Sequence, residues 1–360
     1  MDHHLPLMYS ASAPSSQGRT PPPAPRAAHA DGLLRDSFGR VIRDLRMSVT
    51  DRCNFRCVYC MDPDHRYMPK RELLSLDEYA RLARLARSLG IEKLRLTGGE
   101  PTLYPDLDAL IGQCASMGFS DLALTTNGSQ VTEARCRTWR RLGLRRLTFS
   151  LDSLRDERTR TITRSSSTAA QTVLSIEAAQ RCGFAPIKVN AVILRGVNDD
   201  EIGDFADFAR RHACDVRLIE WMPLDSGRRW TRDHVVTARE MIEAMSRRFA
   251  LVRAPARDAH ETSVNFTFAD GAPGRIGVIA SVTQNFCGAC SRLRLTADGK
   301  VRPCLFSHDE WDLRPLLRGS ATDDELTQFI VNAVWTKQAG HGIDAAGFAP
   351  PERGMSAIGG

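Results

Sequence analysis

The sequence predicts an α/β protein: a partial (β/α)6 barrel of parallel strands followed by a smaller α+β module. Three observations predict it. Six apolar, β-branched runs alternate with five helical patterns between about residues 43 and 221. Residues of unusual chemistry gather where those runs end, and carboxyl ends of parallel strands are where such architectures place their sites. Past about residue 228 the alternation gives way to short strands separated by Gly and Pro turns.

The strand-like runs are 45–50, 93–97, 121–126, 146–151, 187–193 and 216–221. The clearest helical pattern starts at Leu76, with Tyr79, Leu82, Ala83, Ala86 and Leu89 on one face. Ser75 and Glu78 make a capping box, and Gly90 stops the helix. Further helices are expected near 106–117, 132–142, 168–182 and 199–212, the last capped by Asn198 or Asp199. Six units in roughly 180 residues fall short of a closed eight-fold barrel, which takes about 250. A partial barrel is therefore preferred over an open doubly wound sheet. The second module is expected to hold a helix near 238–249, strands at 262–268, 274–280 and 291–296, and helices near 309–318 and 322–335. The domain reading is a disordered tail at 1–36, the barrel at 37–228, the second module at 229–345, and a C-terminal tail at 346–360.

Residues 1 to about 36 carry Pro14, Pro21, Pro22, Pro23 and Pro25 among Ser, Ala and Gly, without an apolar period. Such a segment buries too little surface to offset its ordering entropy. No apolar run is long enough to cross a bilayer, so no membrane association is expected. Ten cysteines in 360 residues are too sparse for a secreted disulfide scaffold, and six of them form two tight groups. A reducing cytoplasm follows as the expected compartment. The net charge of +6 permits an anionic ligand. The arginines are scattered over nearly every element rather than gathered in one basic stripe, so a nucleic-acid partner is not expected.

Cys53, Cys57 and Cys60 fall within eight residues just after the first strand. Thiolates are soft anionic ligands suited to iron and zinc. Three is one fewer than a closed structural site takes, so either a fourth ligand lies elsewhere or one metal stays open. The blander readings are a zinc knuckle, with His65 as the local fourth ligand, or three buried thiols. Cys287, Cys290 and Cys304 form a second triplet, for which a zinc ribbon short of one ligand is the bland alternative. Cys114, Cys136, Cys182 and Cys214 lie in or beside predicted helices and read as small core residues, although one of them could complete either site.

The spacing of the first triplet resembles that of the radical S-adenosylmethionine enzymes. The resemblance implies a TIM-type partial barrel in which three cysteines hold a 4Fe–4S cluster and S-adenosylmethionine chelates the fourth iron. Gly98-Gly99-Glu100 is similar to the loop that meets the methionine amino group, so Gly99 is implied there. Tyr59, Ser150 and Met222 match positions that contact the adenosyl part. Two triplets, the run 45–52 ahead of the first, and the Gly-Gly terminus together resemble the GTP 3′,8-cyclase family of molybdenum cofactor biosynthesis. The resemblance covers residues 40 to 360.

That family implies a second 4Fe–4S cluster on Cys287, Cys290 and Cys304, whose open iron meets the guanine edge. It implies GTP contacts at Arg46, Arg95, Thr126, Lys188, Arg292, Leu293 and Arg294, with Lys93 and Arg217 as further candidates. The implied reaction takes the 3′ hydrogen of GTP with a 5′-deoxyadenosyl radical and closes the ring onto C8, giving (8S)-3′,8-cyclo-7,8-dihydro-GTP. Arg292, Arg294, Gly359 and Gly360 are implied in catalysis, the two glycines on a tail reaching into the site. An electron donor and a downstream pyranopterin monophosphate synthase are implied partners.

The residues support some of this independently. A charge at Lys188, between Ile187 and Val189 on a central strand, costs several kcal/mol unless something neutralises it. A phosphate would do so, and so would a neighbouring carboxylate. Arg292 and Arg294 alternate on one strand, so their heads share a face. Two rival readings remain: a peptide-modifying radical enzyme with an auxiliary cluster, and a zinc-binding regulator of nucleic acid. The sequence leaves the oligomeric state open, a homodimer included.

Overall fold

The computed structural model describes residues 20–25, 28–29, 31–225 and 228–359. The first half alternates strand and helix: β1 (Asp44–Ser48), α1 (Leu76–Ser88), β2 (Lys93–Thr97), α2 (Leu107–Ser116), β3 (Asp121–Thr126), α3 (Glu133–Arg141) and β4 (Arg146–Ser150). It continues through α4 (Asp156–Thr163), α5 (Ala169–Arg181), β5 (Lys188–Ile193), α6 (Ile202–Arg211) and β6 (Asp215–Glu220). Next come α7 (Ala238–Ser246), β7 (Leu251–Arg253), β8 (Val264–Phe268), β9 (Arg275–Ile279), β10 (Arg292–Leu295), β11 (Lys300–Arg302) and β12 (Trp311–Asp312). The chain closes with α8 (Arg314–Leu317), α9 (Asp323–Trp335) and α10 (Met355–Ile358).

All twelve strands join one sheet in the order β12-β11-β10-β1-β2-β3-β4-β5-β6-β9-β8-β7. The six expected strands run parallel side by side. Two strands from the second half, β10 beside β1 and β9 beside β6, extend the parallel run at both edges. The (β/α)6 expectation therefore holds, and the later module completes the sheet rather than packing apart from it. Its antiparallel additions, β11–β12 and β8–β7, end the sheet without closing it.

Alternation does the positioning. Leu94 and Leu96 of β2 are buried against the helices, while Lys93 and Arg95 face the other way. In α1 the Ser75 hydroxyl accepts from the Glu78 amide and the Glu78 carboxylate accepts from the Ser75 amide. A cap of this kind is worth about 1 kcal/mol.

Three expectations are corrected. Residues 31–36 are not a disordered tail: Leu34 is fully buried, its amide donating to Leu89 O and its carbonyl accepting from Ile42 N. Ala28 is buried beside it. The pair Leu33-Leu34 shows no period in sequence, yet Leu34 joins the core with Leu45 of β1; residues 1–19, 26–27 and 30 of the expected tail lie outside the described residues. Asn198 does not cap α6. Its buried amide donates to Asp152 O and Val192 O and accepts from Leu194 N, tying β4 to β5, while Asp199 accepts from Gly196 N. The helix expected at 309–318 shrinks to α8, because Trp311 pairs with Val301 in the sheet and only Arg314–Leu317 are left to turn.

Candidate active site

The carboxyl ends of the parallel strands surround a cavity of about 300 Å³. Both cysteine triplets line it. The other four cysteines do not, and Cys114, Cys136 and Cys214 are buried in the core behind the sheet. His65 packs edge-on against Tyr67 instead of joining the first triplet's cavity. Among the described residues no three His, Cys, Asp or Glu side chains converge tightly enough for a single metal ion. A cluster spreads its ligands wider, because each thiolate binds its own iron.

The first triplet sits on the loop after β1, and neighbours on every side fix that loop. The amides of Arg56 and Val58 donate to Thr163 O and Ile162 O at the end of α4. Asn54 donates to Ser129 Oγ at 2.8 Å and accepts from Asn127 Nδ2 at 2.9 Å. Gly98 and Gly99 are needed here for a reason the sequence reading lacked. A Cβ on Gly98 would lie 2.4 Å from Thr50 O, and one on Gly99 2.3 Å from Arg52 O. The glycines let β2's end press backbone to backbone against the cysteine loop, with Gly99 N donating to Thr50 O and Glu100 N to Arg52 O. Burial pushes all three thiols up, Cys53 to about 11, Cys60 to about 12, and Cys57 well above the usual range.

Tyr59, Ser150 and Met222 line the same cavity. The Tyr59 hydroxyl donates to Asp152 Oδ2 at 2.7 Å, and Asp152 Oδ1 accepts from Val192 N. Burial raises Asp152 to about 6. The sequence marks Tyr59 as a site residue but not this carboxylate partner.

The cations form a row. In register across three neighbouring strands stand Arg294 of β10, Arg46 of β1 and Arg95 of β2. Like charges directly opposite one another destabilise a sheet. Arg217 and Lys188 extend the cationic wall along β6 and β5; a second cavity of about 160 Å³ is lined by both and shares Arg46, Arg95, Arg217 and Arg292 with the first, which Lys188 itself does not line. Four carboxylates line this second cavity as well, but they are engaged elsewhere: Asp44 with Ser291, Asp121 with Arg146, Asp258 with Lys93 and Glu261 with Asn265. Arg95 donates to the hydroxyls of Thr125 and Thr148, each at 3.0 Å. Lys188 has no ion-pair partner among the described residues, since its neighbour Asp215 pairs with Arg257. Burial, then Arg217, Arg146 and Arg95, bring Lys188 down to about 7. Arg217 falls to about 9, first through burial and then through Arg95. Lys93 is the exception, paired with Asp258 at 2.9 Å.

For two of the implied contacts the structure restricts which groups are available. Leu293 does not face the cavity: alternation between Arg292 and Arg294 turns it to the opposite side of β10, where it packs in the core. Thr126 lines the wall, but its hydroxyl is engaged, donating to Glu100 Oε1 at 2.7 Å. Glu100 also accepts from Thr102 and the Asn127 amide, which keeps this buried carboxylate satisfied.

The second triplet lines the same cavity as the first. Arg292 stacks on Phe286 with 4.7 Å to the ring centroid. Two further residues, unmarked by any motif, frame this triplet. Arg40 donates to Cys287 O, Ala339 O and Gln338 O, and its Nε is held by the buried Asp36. Buried Lys337 donates to Arg292 O at 2.9 Å and to Pro303 O. Burial alone would raise Cys290, but Arg292 and Lys337 outweigh it and bring the thiol down to about 6.

The C-terminal tail reaches the same place. Arg294 donates to Ile358 O and Gly359 O. Gly359 adopts φ +77°, and a Cβ there would lie 2.6 Å from Ser48 Oγ, so only glycine threads this gap between β1 and β2. Gly360 lies outside the described residues.

The donor set fits what the spacing implies. Six thiols in two groups face one cavity, and Asn190 Oδ1, Arg217 Nε and His341 Nε2 are buried on its wall without a partner. Buried polar atoms left unpaired point to a polar occupant.

Comparison with known proteins agrees with this geometry. Residues 47–209 match the Radical SAM superfamily, and residues 214–343 match Molybdenum Cofactor Synthesis C. The two matches meet just ahead of β6. The chain is 42% identical over 340 residues to a GTP 3′,8-cyclase of Streptomyces coelicolor, covering 93% of this chain and 99% of that one. It is likewise 42% identical over 330 residues to a GTP 3′,8-cyclase of Rhodococcus opacus, covering 91% and 93%. Among solved structures, Streptococcus suis SuiB bound to precursor peptide SuiA aligns with a TM-score of 0.60 at 14% identity, over 89% of this chain and 69% of that one. Native anSMEcpe with bound AdoMet aligns at 0.56 and 11%, over 83% and 81%. At those identities the two structures show the fold alone.

Proposed function

This chain belongs to the GTP 3′,8-cyclase family, and we propose that its cavity seats S-adenosylmethionine against the first triplet and GTP between the two. It is a radical S-adenosylmethionine enzyme that carries out the first step of molybdenum cofactor biosynthesis. Cys53, Cys57 and Cys60 would hold one 4Fe–4S cluster and Cys287, Cys290 and Cys304 the other. Bound there, the first supplies the electron that cleaves S-adenosylmethionine and the second a Lewis-acidic iron for the purine.

The chain's own residues bind, orient and exclude water. Gly99, Tyr59, Ser150 and Met222 surround the S-adenosylmethionine position, and the Tyr59–Asp152 hydrogen bond fixes the ring beside the first triplet. Arg46, Arg95, Lys188 and Arg217 take the triphosphate, which supplies the negative charge this wall lacks. Arg292 and Arg294 hold the nucleoside end, with the Gly359 carbonyl fixing the Arg294 guanidinium. Fixing both reactants in one closed cavity is the protein's main contribution to rate.

One observation carries this reading: a row of cations without carboxylate partners lines the same cavity as two thiol triplets. Ten unpaired cysteines support a reducing cytoplasm. An electron donor and a downstream pyranopterin-forming enzyme complete the proposed setting. The test is mass spectrometry of products after the reduced, reconstituted protein meets S-adenosylmethionine and GTP. A cyclised nucleotide is expected; its absence with both clusters intact would overturn the reading.

A further inference from the structure

The C-terminal tail and the loop carrying Cys304 are joined by a set of ion pairs behind the cavity. Arg302, at the end of β11, is almost wholly buried and donates to Leu305 O at 3.2 Å and Ser307 O at 2.6 Å. It thereby grips the loop in which Cys304 lies. The same guanidinium pairs with Glu310. Glu310 also takes Lys300 at 3.1 Å and the Arg353 Nε at 3.1 Å. Arg353 reaches past Glu310 to Asp298 with a two-pronged contact, at 3.0 and 2.7 Å. Asp298 is buried at the turn between β10 and β11, where Thr296 Oγ1 donates to it at 2.6 Å.

Arg353 stands two residues before α10, whose end delivers Gly359 to Arg294. A planar guanidinium between two carboxylates fixes position and direction together. The tail has anchors elsewhere, Met355 N donating to Leu224 O and Ser356 hydrogen-bonding to Cys60, but a further one does involve that loop, since Met355 and Ile358 pack in a small apolar cluster that includes Phe306. Ion pair and apolar contact thus hold one segment to the other.

We propose that Arg353, through Asp298 and Glu310, is a positioning residue that makes seating of the Gly359 tail conditional on the Cys304 loop. The coupling rests on the reading of tail and second triplet as parts of one site. When the loop is ordered by its ligands, Arg302 and Glu310 stand where Arg353 can dock. When it is not, the carboxylate pair moves and the tail loosens. Linkage runs both ways: a seated tail also steadies the loop.

The test is hydrogen exchange read by mass spectrometry on the full-length reconstituted protein without nucleotide, with iron content measured in parallel. Arg353→Met is expected to speed exchange in 353–359 by roughly tenfold, the loss of a charge-assisted pair, with iron content unchanged. Cys304→Ser, which disturbs only the second triplet, is expected to speed exchange in the tail to a similar degree. Glu310→Gln should loosen tail and loop together. A melting-temperature measurement identifies any variant that loosens everywhere. A tail as protected in Cys304→Ser as in the parent would overturn the coupling, as would an Arg353→Met tail that stays protected. Neither readout involves GTP, so a failure here is distinguishable from a failure of the cyclase reading.

Discussion

The two cysteine triplets each offer three thiols, and one thiol of the second, Cys290, sits in electrostatic surroundings opposite to the first's, whereas burial raises Cys287 as it raises the first triplet. The first is buried beneath α4 and β2 near acidic groups: Glu100 adds to the burial that raises Cys53, and Asp152 to that which raises Cys57. The second is framed by Arg292 and Lys337, which hold Cys290 near 6 against its burial. The difference shows that ligand count and spacing do not settle what a thiol site is. The first triplet's thiols keep their protons at neutral pH until a metal displaces them. The second presents a thiolate beforehand and sits next to the cations that gather an anionic nucleotide.

The largest effect that would break this comparison is removal of one ligand from each site. Cys57→Ser and Cys290→Ser should each abolish cyclised product and lower iron from about eight per chain to about four. Reductive cleavage of S-adenosylmethionine should survive in Cys290→Ser and vanish in Cys57→Ser. Equal loss of cleavage in both variants would show that the triplets do not divide the work.

Arg294→Ala comes next. It removes the cation that bridges the second site and the tail, and loss of a fixed donor at a reacting centre costs about a hundredfold in turnover. Iron content should not change. A variant with full activity would refute the role given to Arg294 and to the Gly359 carbonyl it meets.

A third measurement concerns the space between the triplets. Lys188 near 7 is mostly neutral at pH 8, whereas a bound triphosphate would restore its proton. GTP binding at pH 8 is therefore expected to take up close to one proton, falling toward none at pH 5.5, where Lys188 is already charged. Calorimetry in buffers of different ionisation enthalpy reads this directly. Lys188→Met should abolish the uptake and weaken binding roughly tenfold. Uptake that persists in the variant would assign the proton elsewhere.

Legibility in the sequence followed the range of the interactions. The first six strands were readable almost to the residue because their alternation is local. The parallel pairing of β10 with β1 and β9 with β6 was not, since no local pattern states which distant strand will be a neighbour. Helix α4 was invisible because Ile162 is nearly its only apolar residue. In the site, cysteine spacing identified both triplets, while Arg40 and Lys337 escaped notice because their partners are backbone carbonyls, which no side-chain motif encodes. The side-chain direction of Leu293 was legible as well. The alternation that puts Arg292 and Arg294 on one face turns Leu293 to the other.

The smallest effect tests the cause of the asymmetry itself. In metal-free protein at pH 7, an alkylating reagent should find Cys290 before any thiol of the first triplet, because the thiolate is the reactive form. Lowering the pH from 7 to 5 protonates Cys290 and should slow its labelling, while the first triplet stays slow throughout. Lys337 is one of two cations credited with the shift, so Lys337→Met should raise Cys290 and slow its labelling at pH 7 by roughly threefold, with Arg292 still in place. Lys337→Arg, which keeps the charge, should restore the parent rate. If Met and Arg label alike, the carbonyl bonds of Lys337, not its charge, set the reactivity of the second triplet, and the contrast between the two sites is one of packing.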